Sequence, residues 1–255
     1  GAAVEHPDLR DRISRGRSLV DEDEQAWTVD TVRHGSHCAG IITGADNDRG
    51  IVGFAVEAEV HAIKIFPGGR FSDLLEALDY CIDHEIDVVN LSLGSRHSSE
   101  LLAAKIAEAR EMGVACIVAA GNDGGPVNFP GNLPYVLTVA AIGKVGTFPD
   151  DSGHAAEIHG PQTGDGYFSA AFTSYGPEVD VCAPGVAVLS SVPPDNYAVW
   201  DGTSMAAPHV AGLAALLIAH HGDFRGEFRE RNARRVDRLF QIIKSSCVPL
   251  DLGDP

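Results

Sequence analysis

The sequence has no Cys-x-x-Cys pair, no internal repeat, no low-complexity tract and no excess of basic residues. Its five cysteines, Cys38, Cys81, Cys116, Cys182 and Cys247, are odd in number and far apart, which argues against a zinc ribbon or a redox dithiol. Cys116 and Cys182 lie in apolar, strand-like runs and read as buried free thiols acting as small hydrophobes; a disulfide between two of the five stays open. Only 19 basic residues face 36 acidic ones, and the net charge of −17 leaves no surface for nucleic acid or an anionic membrane, so neither is expected as a partner. No apolar run reaches the roughly 18 residues that cross a bilayer, so no membrane span is expected. What remains is a chain of 255 residues, 44% hydrophobic, which suits one large α/β domain and excludes disorder or a disulfide miniprotein.

Nearly continuous apolar runs at 60–66, 88–93, 114–120 and 136–142 read as strands covered on both faces. Between them, 72–84 and 98–112 carry helical spacing, with Leu74, Leu75, Leu78 and Ile82 on one stripe and Leu101, Leu102, Ile106 and Ala109 on the other. Ser72 and Ser98 read as N-caps, and Gly113 closes the second helix. The β-α-β-α-β order predicts a parallel sheet with helices on both faces. Residues 203–220 form a further helix, apolar nearly all round and therefore buried. The Gly-, Asp- and His-rich stretch 143–170 reads as a surface excursion, and 225–238, alternating Arg and Glu, as a solvated helix and its lead-in.

Three segments stand apart: His34-Gly-Ser-His-Cys-Ala-Gly40, Ala119-Ala-Gly-Asn122 at a strand end, and Gly202-Thr-Ser-Met-Ala-Ala-Pro-His-Val-Ala-Gly212 at the start of the buried helix. Ser204 falls at a helix N-terminus, where unpaired N–H groups and the dipole favour an alkoxide and the oxyanion it creates. Pro208 is tolerated in the first turns of that helix. The plainer reading is a serine cap ahead of a core helix. A zinc site at His34 and His37 lacks an intervening Glu and a third ligand.

Taken together and in order, these segments resemble the subtilisin-like serine peptidases, the subtilase family. The resemblance runs from Gly1 to His220 and includes VVNLSLGS at 88–95 and YGPEVDVCAPG at 175–185. It implies a three-layer subtilisin-like α/β fold with a mostly parallel central sheet of about seven strands. It implies His34 as general base, Ser204 as nucleophile and Asn122 as oxyanion donor, with His37 and His209 structural. The Cys after His37 is similar to that of the proteinase K group. Substrate is then an extended polypeptide laid between 67–71 and 91–94, with Ser92, Leu93, Gly94, Ser95, Ala119, Ala120, Gly121 and Asn128 around its first pocket. Asp123 at that pocket's rim favours basic residues weakly, and Phe71, Leu74 and Leu93 make an apolar outer pocket. A structural Ca2+ would be held by Asp8, Asn47 and the carbonyls of Ala45, Arg49 and Ile51, since a hard cation wants clustered oxygens; the alternative is a plain Asn-Asp-Gly turn.

One part of the pattern falls outside the sequence. The family's catalytic Asp aligns two residues before Gly1, and a Gly-rich closing turn is expected beyond Asp254-Pro255. The chain is therefore expected to be a single peptidase domain, residues 1–255, short at both ends, and impaired in folding and activity without its Asp strand. Asp21, Asp23 and Asp30 are weak substitutes, and Asp30 reads as a surface acid. The function implied is a serine endopeptidase; its rival is a peptide-binding pseudoprotease. An esterase reading fails for want of a Gly-x-Ser-x-Gly elbow. The family allows an N-terminal propeptide and a monomer. Resemblance points to an extracellular location, whereas five unpaired-looking cysteines suit the cytoplasm.

Overall fold

Strand alternation sorts the core into two layers. The computed structural model describes residues 1–253, so the closing Asp254-Pro255 and the turn expected after it lie outside the described residues. In chain order the elements are β1 (Arg15–Ser18), α1 (His34–Thr43), β2 (His61–Lys64), α2 (Phe71–Asp83), β3 (Val88–Leu91), α3 (Glu100–Glu111), β4 (Ala115–Ala119), β5 (Leu137–Lys144), β6 (Ile158–His159), β7 (Tyr167–Ala170), β8 (Val181–Pro184), β9 (Val188–Val192), β10 (Asn196–Trp200), α4 (Thr203–His220), α5 (Gly222–Arg225) and α6 (Ala233–Ser246). β4 is buried throughout. Its Ala115, Ile117 and Ala119 pack with α4 and α6, whereas Cys116 and Val118 pack with α2 and α3. A period of two residues thus places helices on both faces of the sheet.

The expected helices are present, with corrected starts. α2 begins at Phe71 because the Asp73 carboxylate accepts the backbone N–H of Arg70 at 2.7 Å, which makes Arg70 rather than Ser72 the cap. Ser99, not Ser98, caps α3 by accepting the N–H of Leu102. Gly113 (φ 80°) ends α3 in the left-handed conformation that glycine adopts without strain. The charged 225–238 stretch leads into α6, whose Val236, Leu239, Phe240 and Ile243 are buried at i, i+3, i+4 and i+7; even Arg235 is buried, paired with Asp87 at 2.9 Å. The 143–170 stretch is no mere surface excursion, since Phe148, Phe168 and Ala170 enter the core. Cys116 is buried as expected but Cys182 is exposed, and all five thiols are free. α4 has a mean hydropathy of 1.3 over 18 residues, long and apolar enough to cross a membrane by composition, contrary to the reading of the sequence. It packs against α1, β3, β4, β5 and β8.

The sheet departs from the expected seven parallel strands. β3, β4, β5 and β8 pair in parallel, while β7 and β6 join antiparallel. β1 and β2 form a separate parallel pair, and β9 and β10 an antiparallel hairpin. β2 and β3 do not pair. Between them lies a cavity of about 1060 Å³, walled by Ile63, Ile65, Val89 and Leu91 and reaching His34 and Gly1. The facing edges of β2 and β3 hold backbone groups that no strand pairs.

Phe168 is fully buried and its ring lies against Gly143 of β5. Phe168→Ala is expected to cost about 3–5 kcal/mol of stability, read as a fall in the denaturant midpoint, because the cavity it leaves is walled by rigid strands.

Candidate active site

α1 starts under constraint. Arg33, the residue before His34, adopts a left-handed backbone (φ 68°), uncommon for a residue with a side chain. Asp30 holds it there: Oδ1 accepts the N–H of Arg33 at 2.9 Å, and Oδ2 accepts the N–H and hydroxyl of Ser36 at 2.8 and 2.6 Å. Asp30 is therefore a buried organiser of the helix start, only 8% exposed, and not the surface acid read from the sequence. The Ser36 hydroxyl in turn accepts the N–H of Ala3, tying the N-terminal segment to α1. Asp30 makes no hydrogen bond to the His34 ring. Burial holds the His34 pKa below its usual value, partly offset by the charge of Asp30.

α4 starts with equal definition. Gly202 is pinned by its N–H to the carbonyl of Gly185 at 2.8 Å. The next residue, Thr203, donates both its N–H (2.9 Å) and its hydroxyl (2.8 Å) to Oδ1 of Asn122. A backbone N–H can only donate, so the oxygen of the Asn122 amide is fixed against Thr203 and its NH2 is left facing outward. Ser204 follows, half-buried, at the N-terminus of an 18-residue helix. Its hydroxyl donates to the carbonyl of Ser92 at 3.4 Å, and the Ser92 hydroxyl donates back to the carbonyl of Ser204 at 2.8 Å. Asn90 Nδ2 steadies the Ser92 hydroxyl at 2.9 Å.

Cys38 joins the two halves. Its Sγ donates to the carbonyl of Ser204 at 3.4 Å and lies 3.9 Å from His34 Nδ1. Burial pushes this thiol up to about 12, so it stays protonated and serves as a donor. The structure thus gathers Ser204, Asn122, Ser92, Cys38 and His34 around the first turn of α4. No hydrogen bond joins His34 to Ser204. The sequence assigns no such role to Thr203, Cys38 or Asp30; the one signal that could have revealed Asp30 is its spacing to Arg33, a carboxylate three residues ahead of an N–H.

The pocket residues also converge. Gly94 and Gly121 both lie against Asn128. Ser95 and Phe129 exchange backbone hydrogen bonds at 2.8 and 3.1 Å, and Phe71 meets Phe129 edge-on at 6.0 Å. At the far side of α1, the loop through Ala45, Asn47, Arg49 and Ile51 folds over Asp8. The Asp8 carbonyl accepts the N–H of Ala45, and its Oδ2 accepts those of Ile51 and the Ser191 hydroxyl, both at 3.1 Å. Asn47 donates to the carbonyl of Pro7 and accepts the N–H of Arg49. Asp8 is fully buried, and its Oδ1 has no partner. Among the described residues no group of three or more His, Cys, Asp or Glu side chains is arranged to hold a metal.

This is an α/β protein with a serine at the N-terminus of a buried helix, an anchored asparagine beside it and a histidine on the adjoining helix. The subtilase family model matches residues 1–236, and the chain belongs to that family. It is 32% identical to Subtilisin NAT of Bacillus subtilis subsp. natto over 94% of its own length, and spans 57% of that relative. It is 33% identical to an intracellular serine protease of Paenibacillus polymyxa, covering 98% of this chain and 72% of that protein. The crystal structure of a cold adapted subtilisin-like serine proteinase superposes with a TM-score of 0.78 at 25% identity, covering 100% of this chain and 81% of the other.

His37 gives this region a pH dependence. It is fully buried, stacked on Trp200 at 4.6 Å, with Nε2 on the carbonyl of Ala198 and Nδ1 unpartnered. Burial lowers its pKa to about 4. Between an unfolded pKa of about 6.5 and the folded one, the unfolded chain binds a proton that the folded chain refuses. Stability from this group is complete above about pH 6.5 and falls as pH drops towards 4, by about 3 kcal/mol in total. Melting temperature against pH is expected to slope upward in that window, and His37→Asn to flatten the slope.

Proposed function

We propose that residues 1–255 form a single peptidase domain that hydrolyses peptide bonds through an acyl-enzyme on Ser204. The observation that carries this reading is the double hydrogen bond from Thr203 to Asn122, which holds nucleophile and oxyanion donor at one helix terminus. His34, whose pKa burial lowers, takes the proton of the Ser204 hydroxyl as Oγ attacks the carbonyl carbon. The oxyanion receives the Asn122 amide and the helix N-terminus. His34 then protonates the departing amine, and water cleaves the ester by the same route reversed. In the free protein Oγ rests on Ser92; the contact to His34 tightens with substrate, as catalytic hydrogen bonds commonly do.

A carboxylate behind His34 completes the reading. The cavity between β2 and β3 has the walls of a strand slot: two unpaired edges, apolar faces and one end at His34. An extended segment seated there joins the two sheets and brings an acid to the histidine, which fixes its tautomer and stabilises the imidazolium. Substrate lies extended beside 67–71 and 91–94, with Ser92, Leu93, Gly94, Ala119, Ala120, Gly121 and Asn128 at its first pocket and Phe71 beyond. No observation favours a peptide-binding pseudoprotease.

Ca2+ fits the loop over Asp8. A buried carboxylate oxygen with no partner is costly, and a cation removes that cost. Asp8 and Asn47, with the carbonyls of Ala45, Arg49 and Ile51, would hold it. Chelator is expected to lower the melting temperature, and Asp8→Ala to abolish that response; identical melts with and without chelator would count against the site.

Labelling with a fluorophosphonate, on protein that includes the upstream segment, tests the nucleophile. Ser204→Ala is expected to abolish labelling and peptide cleavage with the fold intact. Asn122→Ala is expected to lower kcat by about 10²–10³ at nearly constant KM. Parent-rate cleavage by the Ser204→Ala protein would overturn the assignment.

A further inference from the structure

The walls of the first pocket meet over one side chain. Gly94 and Gly121 approach Asn128 so closely that a Cβ on either would lie 3.3 Å from its Cβ or 3.1 Å from its Cγ, respectively. The Ser95–Phe129 backbone pair closes the same seam. Asn128 Nδ2 donates to Oδ2 of Asp123 at 2.8 Å. Asp123 follows Asn122 directly, so its carboxylate stands at the rim beside the oxyanion donor. Read from sequence, it attracts a basic substrate side chain. The fold changes that, because Arg96, one residue beyond the Ser95 wall, reaches across the seam. Its Nη2 donates to Asp123 Oδ1 at 2.6 Å and its Nε to Oδ2 at 3.5 Å.

We propose that Arg96 is a specificity-determining residue: paired with Asp123, it neutralises the acid at the pocket rim and directs cleavage to bonds that follow an uncharged side chain rather than Lys or Arg. This rests on the peptidase reading of the site. A basic substrate side chain meets a carboxylate already engaged by a guanidinium and an amide, and gains it only by displacing Arg96. The Arg96 side chain is 76% exposed, so its pair with Asp123 is weak in absolute terms and yields to substitution without disturbing the core. Arg96 makes no hydrogen bond to Ser204, His34 or Asn122; its bonds go to Asp123, and it acts through the charge it presents to the substrate.

The test compares peptides that differ only in the residue before the scissile bond, Lys against Leu. Protein carrying the upstream segment is used, with active sites first counted by fluorophosphonate. Arg96→Ala is expected to raise the Lys/Leu ratio of kcat/KM about three- to fivefold, the range of one solvent-exposed ion pair. Adding Asp123→Asn is expected to erase that gain, since the freed carboxylate is its source. Arg96→Lys, which keeps the charge, is expected to stay near the parent ratio. Active sites that label normally with a Lys/Leu ratio unmoved by Arg96→Ala would overturn this proposal alone. Parent protein that neither labels nor cleaves would overturn the peptidase reading and this proposal with it.

Discussion

The first turn of α4 is the constraint on which the site depends. Its N–H groups cannot be paired inside the helix, and the structure ties this turn to its surroundings at successive residues. Gly202 is bonded to Gly185, Thr203 to Asn122, and Ser204 to Ser92 and Cys38. Those partners come from the segment after β8, the ends of β4 and β3, and α1. One buried helix therefore gathers four otherwise separate pieces of chain. Its apolar surface is needed for that role, because a helix touching α1 and four strands has little polar face to offer. The same property gives it the composition of a membrane span.

The two helix starts solve the same problem differently. α4 uses side chains from elsewhere to hold its terminus, whereas α1 uses Asp30 from its own approach. In both, the residue ahead of the chemistry is in an unusual conformation, Gly202 (φ 154°) before Thr203-Ser204 and Arg33 (φ 68°) before His34. Glycine takes up its conformation without a steric cost, whereas at Arg33 the hydrogen bonds from Asp30 hold a left-handed backbone that costs a residue with a side chain about 1–3 kcal/mol. Rigid backbone beneath a reactive side chain restricts where it can point, which is what a peptidase mechanism needs from it.

The separation of β2 from β3 shapes the rest of the molecule. The β1–β2 pair stays attached through the Ala2, Leu9, Ile13, Trp27 and Ala39 cluster, which reaches α1, and through Ile63 and Ile65, which pack against the cluster of Leu74, Leu78 and Leu91. The main sheet keeps its own two-faced core. A strand between them would satisfy both open edges at once and put its far end beside His34, so completing the sheet and completing the site are one event in the proposed mechanism.

The sequence by itself determined the local elements and the motifs from which the proposed site is built. Apolar runs marked β2 to β5, helical stripes marked α2 and α3, and the three motifs singled out His34, Asn122 and Ser204, because periodicity and motif spacing are properties of short stretches. Cap positions slipped by one or two residues, since Ser72 and Ser98 look like caps until a neighbouring carboxylate or hydroxyl is seen to have taken the bond. Only the tertiary structure decided that Asp30 is buried under α1, that Thr203 orients Asn122, that Cys38 lies between His34 and Ser204, and that Arg96 covers Asp123. Several of these pairs join residues tens to hundreds of positions apart, and a charge or a hydrogen-bonding group carries no record in its own sequence neighbourhood of which distant partner will meet it. The split sheet was hidden for the same reason: whether two apolar runs pair depends on what lies between them in space.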